Sequence, residues 1–159
     1  MLTDRANIML DAWRAELVTD AEIRSWAESE MMAISDAGEM PTWLLDLVTH
    51  GPGSVVEQGH DWRRTAEFGV EFAFASARVD LADRGGVVRF ARWLAGASLG
   101  EDLDLPEVVL GYQVDHYLDQ GDVDLAVQCV REGLPGILSS RRDLLRKAVG
   151  LVWPTSGSS

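Results

Sequence analysis

The chain has 159 residues, 47% apolar and 25% charged, the balance of an ordinary folded domain, which excludes intrinsic disorder as its default state. A single cysteine, Cys129, excludes an internal disulfide framework and a multi-cysteine zinc site. Twenty-six acids against fourteen bases leave a net charge of −12, which argues against direct binding to nucleic acid or to an anionic membrane surface.

Turn signals divide the chain into segments of helical length and period. Thr3 can cap a first helix carrying Ile8, Leu10, Trp13 and Leu17. Thr19-Asp20-Ala21-Glu22 has the form of a capping box, in which threonine oxygen and glutamate each satisfy an amide of the first turn. The helix it opens runs to about Ser35, with Ile23, Trp26, Ala27, Met31 and Ile34 on one stripe. After Gly38 a third helix spans 41–50, with Trp43, Leu44, Leu47 and Val48 inward. His50-Gly51-Pro52-Gly53-Ser54 is the sharpest break, and residues 54–58 read as short and extended.

The longest continuous pattern covers 61–84. Trp62, Phe68, Phe72, Phe74 and Leu81 fall on more than one face, which places this helix at the centre of a bundle. Gly85-Gly86 separates it from a helix over 87–97. Pro106 opens a helix to about Leu118, in the position proline favours. Gly121 breaks it, and Asp122 caps a helix over 123–132. Gly133, Pro135 and Gly136 precede a last helix over 140–151, which starts with the box-like Ser140-Arg141-Arg142-Asp143. The prediction is an all-α, single-domain bundle of about seven or eight helices over 1–153, with a polar tail at 154–159 that frays. No stretch alternates as a strand would, and no repeat period is present. The first residues lack a basic stretch before their apolar run, and no apolar run reaches about 18 residues, so a cytoplasmic protein is expected.

Charge is uneven along the chain. The net is −8 over 1–60, +1 over 61–100, −8 over 101–132 and +3 over 133–159. Arg63, Arg64, Arg78, Arg84, Arg89 and Arg92 read as partners for the acids. Arg131 is the single base among nine acids in 101–132, so other segments or a basic partner must neutralise that band. Glu101, Asp102, Asp104, Glu107, Asp115, Asp119, Asp122 and Asp124 are therefore the candidate partner-binding residues. A second acidic block holds Glu28, Glu30, Asp36 and Glu39. The six tryptophans, at 13, 26, 43, 62, 93 and 153, read as core anchors, from which a partner could still draw a hot spot.

Catalytic constellations are incomplete. An HD-type metal hydrolase would need His50, His60, Asp61 and Asp115 around a divalent ion, but the His50–His60 gap is short and His60-Asp61 suits a helix start. Glu57-Gln58-Gly59-His60 supplies one Glu-x-x-His step of a di-iron bundle, and Gln113-Val114-Asp115-His116 lacks the carboxylate for a second. The run Asp119-Gln120-Gly121-Asp122-Val123-Asp124 lacks the sixth-position glycine and closing glutamate of a calcium loop. Cys129, with Leu125, Ala126 and Val130 around it in helical register, reads as a core thiol. No catalytic residue, metal site or cofactor is predicted.

Glu22-Ile23-Arg24-Ser25-Trp26-Ala27, followed by Pro41-Thr42-Trp43-Leu44-Leu45-Asp46-Leu47, forms an I-x-x-W-A … P-x-W-L-x-D-L pattern. It resembles small helical bacterial proteins of the immunity type, encoded beside polymorphic or contact-dependent toxins, over residues 22–47. The resemblance implies a non-enzymatic, stoichiometric binder that neutralises a cognate toxin, often a basic nuclease. Thirteen arginines against one lysine suit a GC-rich bacterial gene. The acids would then occupy the positions where phosphates bind. The alternatives are an HD-like metal-dependent phosphohydrolase and a helical adaptor or scaffold subunit.

Overall fold

The computed structural model describes residues 2–34, 38–58 and 67–152. Among them are nine α-helices and no strand, the all-α class that the helical periods predict. The chain divides into two compact units, Met1–Thr65 and Ala66–Ser159.

The first unit contains α1 (Leu2–Arg14), α2 (Asp20–Ile34), α3 (Thr42–His50) and α4 (Pro52–Glu57). Helix α1 already includes Thr3, which therefore sits in the first turn and not at a cap. The α1–α2 turn closes as a Schellman motif: Leu17 N–H donates to the Ala12 carbonyl at 2.9 Å and Glu16 N–H to the Trp13 carbonyl at 2.9 Å. Its left-handed position is held by Glu16, a non-glycine residue at φ 60°. The capping box of α2 forms as the sequence predicts, with Glu22 N–H donating to Thr19 Oγ1 at 3.2 Å and Thr19 N–H to Glu22 Oε1 at 3.3 Å. Met9, Ile23, Trp26, Ala27, Leu44, Leu47 and Val55 form the buried core.

Residues 54–57, expected to be extended, belong to α4 instead. Gly51 turns the chain at φ 92°, and Pro52 then starts the helix in its first turn, where an N–H has no intrahelical acceptor to lose. A Cβ on Gly51 would also meet the end of the Arg24 side chain, but the positive φ is what requires glycine there.

The second unit contains α5 (Phe68–Ala77), α6 (Arg84–Ser98), α7 (Pro106–Asp119), α8 (Val123–Ser140) and α9 (Arg142–Val152). The expected long helix over 61–84 ends at Ala77. Asp80 makes the stop: its side chain accepts from Ala82 N–H at 2.9 Å and its carbonyl from Asp83 N–H at 3.0 Å, a local turn that outcompetes helix. Residues 61–66, Trp62 among them, lie outside the described residues, as do Trp153 and the 154–159 tail. Helix α5 is buried on several sides as expected, through Phe68, Phe72, Phe74 and Ala75.

Gly85 and Gly86 do not separate helices; both lie in the first turn of α6. Val87, Phe90, Ala91 and Leu94 are buried behind them, and that burial exceeds a glycine penalty of about 1 kcal/mol each. Helix α8 likewise runs past Gly133, Pro135 and Gly136 to Ser140, with Val130 and Leu134 fully buried. Ser140 does not box α9; its hydroxyl donates back to the Ile137 carbonyl at 3.0 Å. Phe68, Phe72, Phe90 and Trp93 follow one another at centroid spacings of 6.1, 6.3 and 5.8 Å. Gly111 allows α7 to approach α6 closely, because a Cβ there would overlap the Ser98 side chain. No helix among the described residues is long and apolar enough to cross a membrane.

Candidate partner-binding face

The 99–105 loop leaves α6 through Gly100, at φ 81°, whose N–H donates to the Tyr112 hydroxyl at 3.2 Å. Asp102 then folds the loop: its side chain accepts from Asp104 N–H at 2.9 Å, and its carbonyl from Leu105 N–H at 3.1 Å. Pro106 follows as the first residue of α7. This geometry turns Glu101, Asp102 and Asp104 to solvent, together with Leu99 and Leu103, which are 58% and 59% exposed.

Helix α7 continues that surface. Val109, Tyr112, Gln113, His116, Asp119 and Gln120 are all exposed, at the three- and four-residue spacings of a single helix face. At the far end, Gly121 (φ 74°) closes a second Schellman motif, with Asp122 N–H donating to the Tyr117 carbonyl at 2.9 Å. Cys129 Sγ lies 3.6 Å from Gln113 Oε1, so that side of α8 borders the α7 stripe. Leu125, one turn before Cys129 and 41% exposed, extends the same side. Leu99, Leu103, Val109, Tyr112 and Leu125 are the exposed large apolar side chains among the described residues of this unit.

The predicted acids divide into three sorts. Glu101, Asp102, Asp104 and Asp119 are exposed and Asp115 is half-buried on α7. Asp122 caps α8, accepting from Leu125 N–H at 3.1 Å, and Asp124 pairs with Arg84 at 2.6 Å. Glu107 is no surface charge: it is 2% exposed and pairs with Arg141 at 2.6 Å. A buried carboxylate must be paired or protonated, and the first turn of α7 carries this one inward. The acids therefore form two groups, at opposite ends of α7. The helix rise of about 1.5 Å per residue puts these roughly 20 Å apart. Between them lies the stripe that includes Val109 and Tyr112.

The other acidic block is more compromised. Glu30 is buried and held by Arg5 through two hydrogen bonds, at 3.0 and 2.8 Å, while Glu28 and Glu39 are exposed. Asp36 lies outside the described residues. The sequence reading missed the apolar members of the α7 face. A signal was present for Leu103, which stands between Asp102 and Asp104 in a segment too short for a helical stripe to carry it inward.

Residues considered for chemistry occupy other settings. His50 Nδ1 lies 2.9 Å from Asp46 Oδ1, and Ser54 donates to both Asp46 oxygens at 3.1 Å. The serine bonds the carboxylate and not the imidazole, so this cluster fastens α3 to α4 and does not activate a nucleophile. His60 and Asp61 lie outside the described residues. Among those described, no group of three or more His, Cys, Asp or Glu side chains is placed to hold a metal ion. Burial, and then the Glu132 charge, push the Cys129 thiol above its ordinary pKa, the opposite of an activated nucleophile. The segments that carry the resemblance to immunity-type proteins lie on α2 and α3, where Ile23, Trp26, Leu44 and Leu47 are core residues. No protein-family model, curated protein or solved structure matches the chain.

Proposed function

We propose that this chain is a non-enzymatic binding protein of the immunity type, which neutralises a basic toxin domain in the cytoplasm through the α7 face. The observation that supports it is the juxtaposition of exposed acids with exposed Leu99, Leu103, Val109 and Tyr112 on one side of the second unit. Large apolar side chains gathered on a strongly acidic surface suit an interface better than solubility alone. Glu101, Asp102 and Asp104 steer a basic partner and speed its encounter. Tyr112 and Leu103, once desolvated, slow its release. With a nuclease as partner, the carboxylates stand where substrate phosphates would bind, and inhibition is by occlusion.

The test is growth rescue. On this reading a toxin-type domain must be encoded beside this chain, it must arrest growth when expressed alone, and co-expression of the chain must restore growth. Rescue should be lost with Leu103→Ala/Tyr112→Ala while the chain stays folded. Full rescue by that variant, or no rescue by the wild-type chain, overturns the reading.

A further inference from the structure

In the second unit, α5, α8 and α9 leave between them a cleft of about 640 Å³. Small residues create it: Ala73 and Ala77 on α5, Ser139 on α8 and Gly150 on α9 stand where longer side chains would close the space. Pro135, Leu138 and Leu145 make the remaining wall apolar. No acid among the described residues lines the cleft, although acids outnumber bases by 26 to 14 in the chain. Among the described residues its charge comes from Arg142 and Arg146, four residues apart and so on one side of α9. Both are exposed, and neither pairs with a carboxylate among the described residues. The contrast with Arg5, Arg84, Arg89 and Arg141, each of which holds an acid, is direct.

Volume and lining together specify a ligand. Small-molecule sites run to about 300–1,000 Å³, mostly apolar, with a few polar groups that fix orientation. An apolar wall accepts an aliphatic chain, and two guanidiniums accept an anion bidentately. We propose that this cleft binds a small anionic amphiphile: one aliphatic chain in the apolar part and a carboxylate or phosphate head on Arg142 and Arg146. The site lies on α5, α8 and α9, apart from the α7 face, so it stands or falls independently of the partner-binding reading.

The test is calorimetric titration of the full chain with dodecanoate and dodecyl phosphate below micelle formation, with dodecanol and dodecyltrimethylammonium as matched controls. One of the anions should bind saturably, one per chain, and the stronger of the two identifies the head group. Dodecanol should bind at least about tenfold more weakly, and the cation not at all. Arg142→Glu/Arg146→Glu should weaken the anion by about tenfold or more. Ser139→Trp should block it by filling the cleft. All three substituted positions are exposed, and circular dichroism of each variant checks the fold. Absence of saturable binding, equal binding of dodecanol, or unchanged affinity in both variants overturns the proposal. So does a dimer in sedimentation that Ser139→Trp converts to monomer, which would assign the cleft to a second copy.

Discussion

Arg141 Nη1 lies 2.6 Å from Glu107 Oε1, tying the α8–α9 junction to the first turn of α7. The glutamate is buried and its Oε2 has no hydrogen-bond partner among the described residues, where Arg141 is the cation that compensates its charge. Removing one member of such a pair is costly, because the other is left buried and uncompensated. Arg141→Met should therefore destabilise the chain by about 3 kcal/mol in urea unfolding, and Glu107→Met in the same chain should recover most of the loss. A cost for Arg141→Met no larger than about 1 kcal/mol, the range of an exposed pair, would contradict this role.

That pair also marks what could be read from residues alone. The all-α class, the Thr19–Glu22 box, Pro106 at the start of α7 and the Gly121–Asp122 break were legible, because each depends on a few neighbouring residues. The run of α8 through Pro135 and the placement of Gly85-Gly86 inside α6 were not, because tertiary burial of Leu134 and Phe90 overrides local preference. The candidate site was legible as a charged segment. Which acids face solvent was not: Glu107 and Asp124 meet Arg141 and Arg84 from distant segments, and no local count of charge registers them.

The two Schellman turns invite a direct comparison. Gly121 holds one at φ 74° and Glu16 the other at φ 60°. A left-handed residue with a Cβ costs about 1–2 kcal/mol, and glycine offsets part of that gain with its greater unfolded entropy. Glu16→Gly should raise stability by about 0.5–1 kcal/mol, seen as a higher melting temperature. A lower melting temperature would show that the Glu16 side chain supports the turn.

Cys129 offers a chemical check. Only the thiolate alkylates, and burial together with Glu132 raises the thiol pKa, so less thiolate is present at a given mildly alkaline pH. Iodoacetamide should therefore modify Cys129 more slowly than a free thiol such as glutathione, with the rate rising at higher pH than for the free thiol. Glu132→Gln removes the charge contribution and should shift that profile back toward lower pH, though not fully, since burial is the larger cause. Alkylation as fast as the free thiol would mean an accessible, unshifted cysteine.

The most direct test of the proposed partner binding is the association rate with the basic toxin domain proposed as its partner, measured by stopped flow across a range of salt. Glu101, Asp102 and Asp104 are exposed and make no ion pair among the described residues, so reversing all three to lysine should leave the fold and melting temperature nearly unchanged. Wild-type association should slow steeply as salt rises, and the reversed variant should associate at least about tenfold more slowly at low salt, with a weak or inverted salt dependence. Equal association rates for the two chains at low salt would contradict a docking role for this face and leave its acids as solubilising charge.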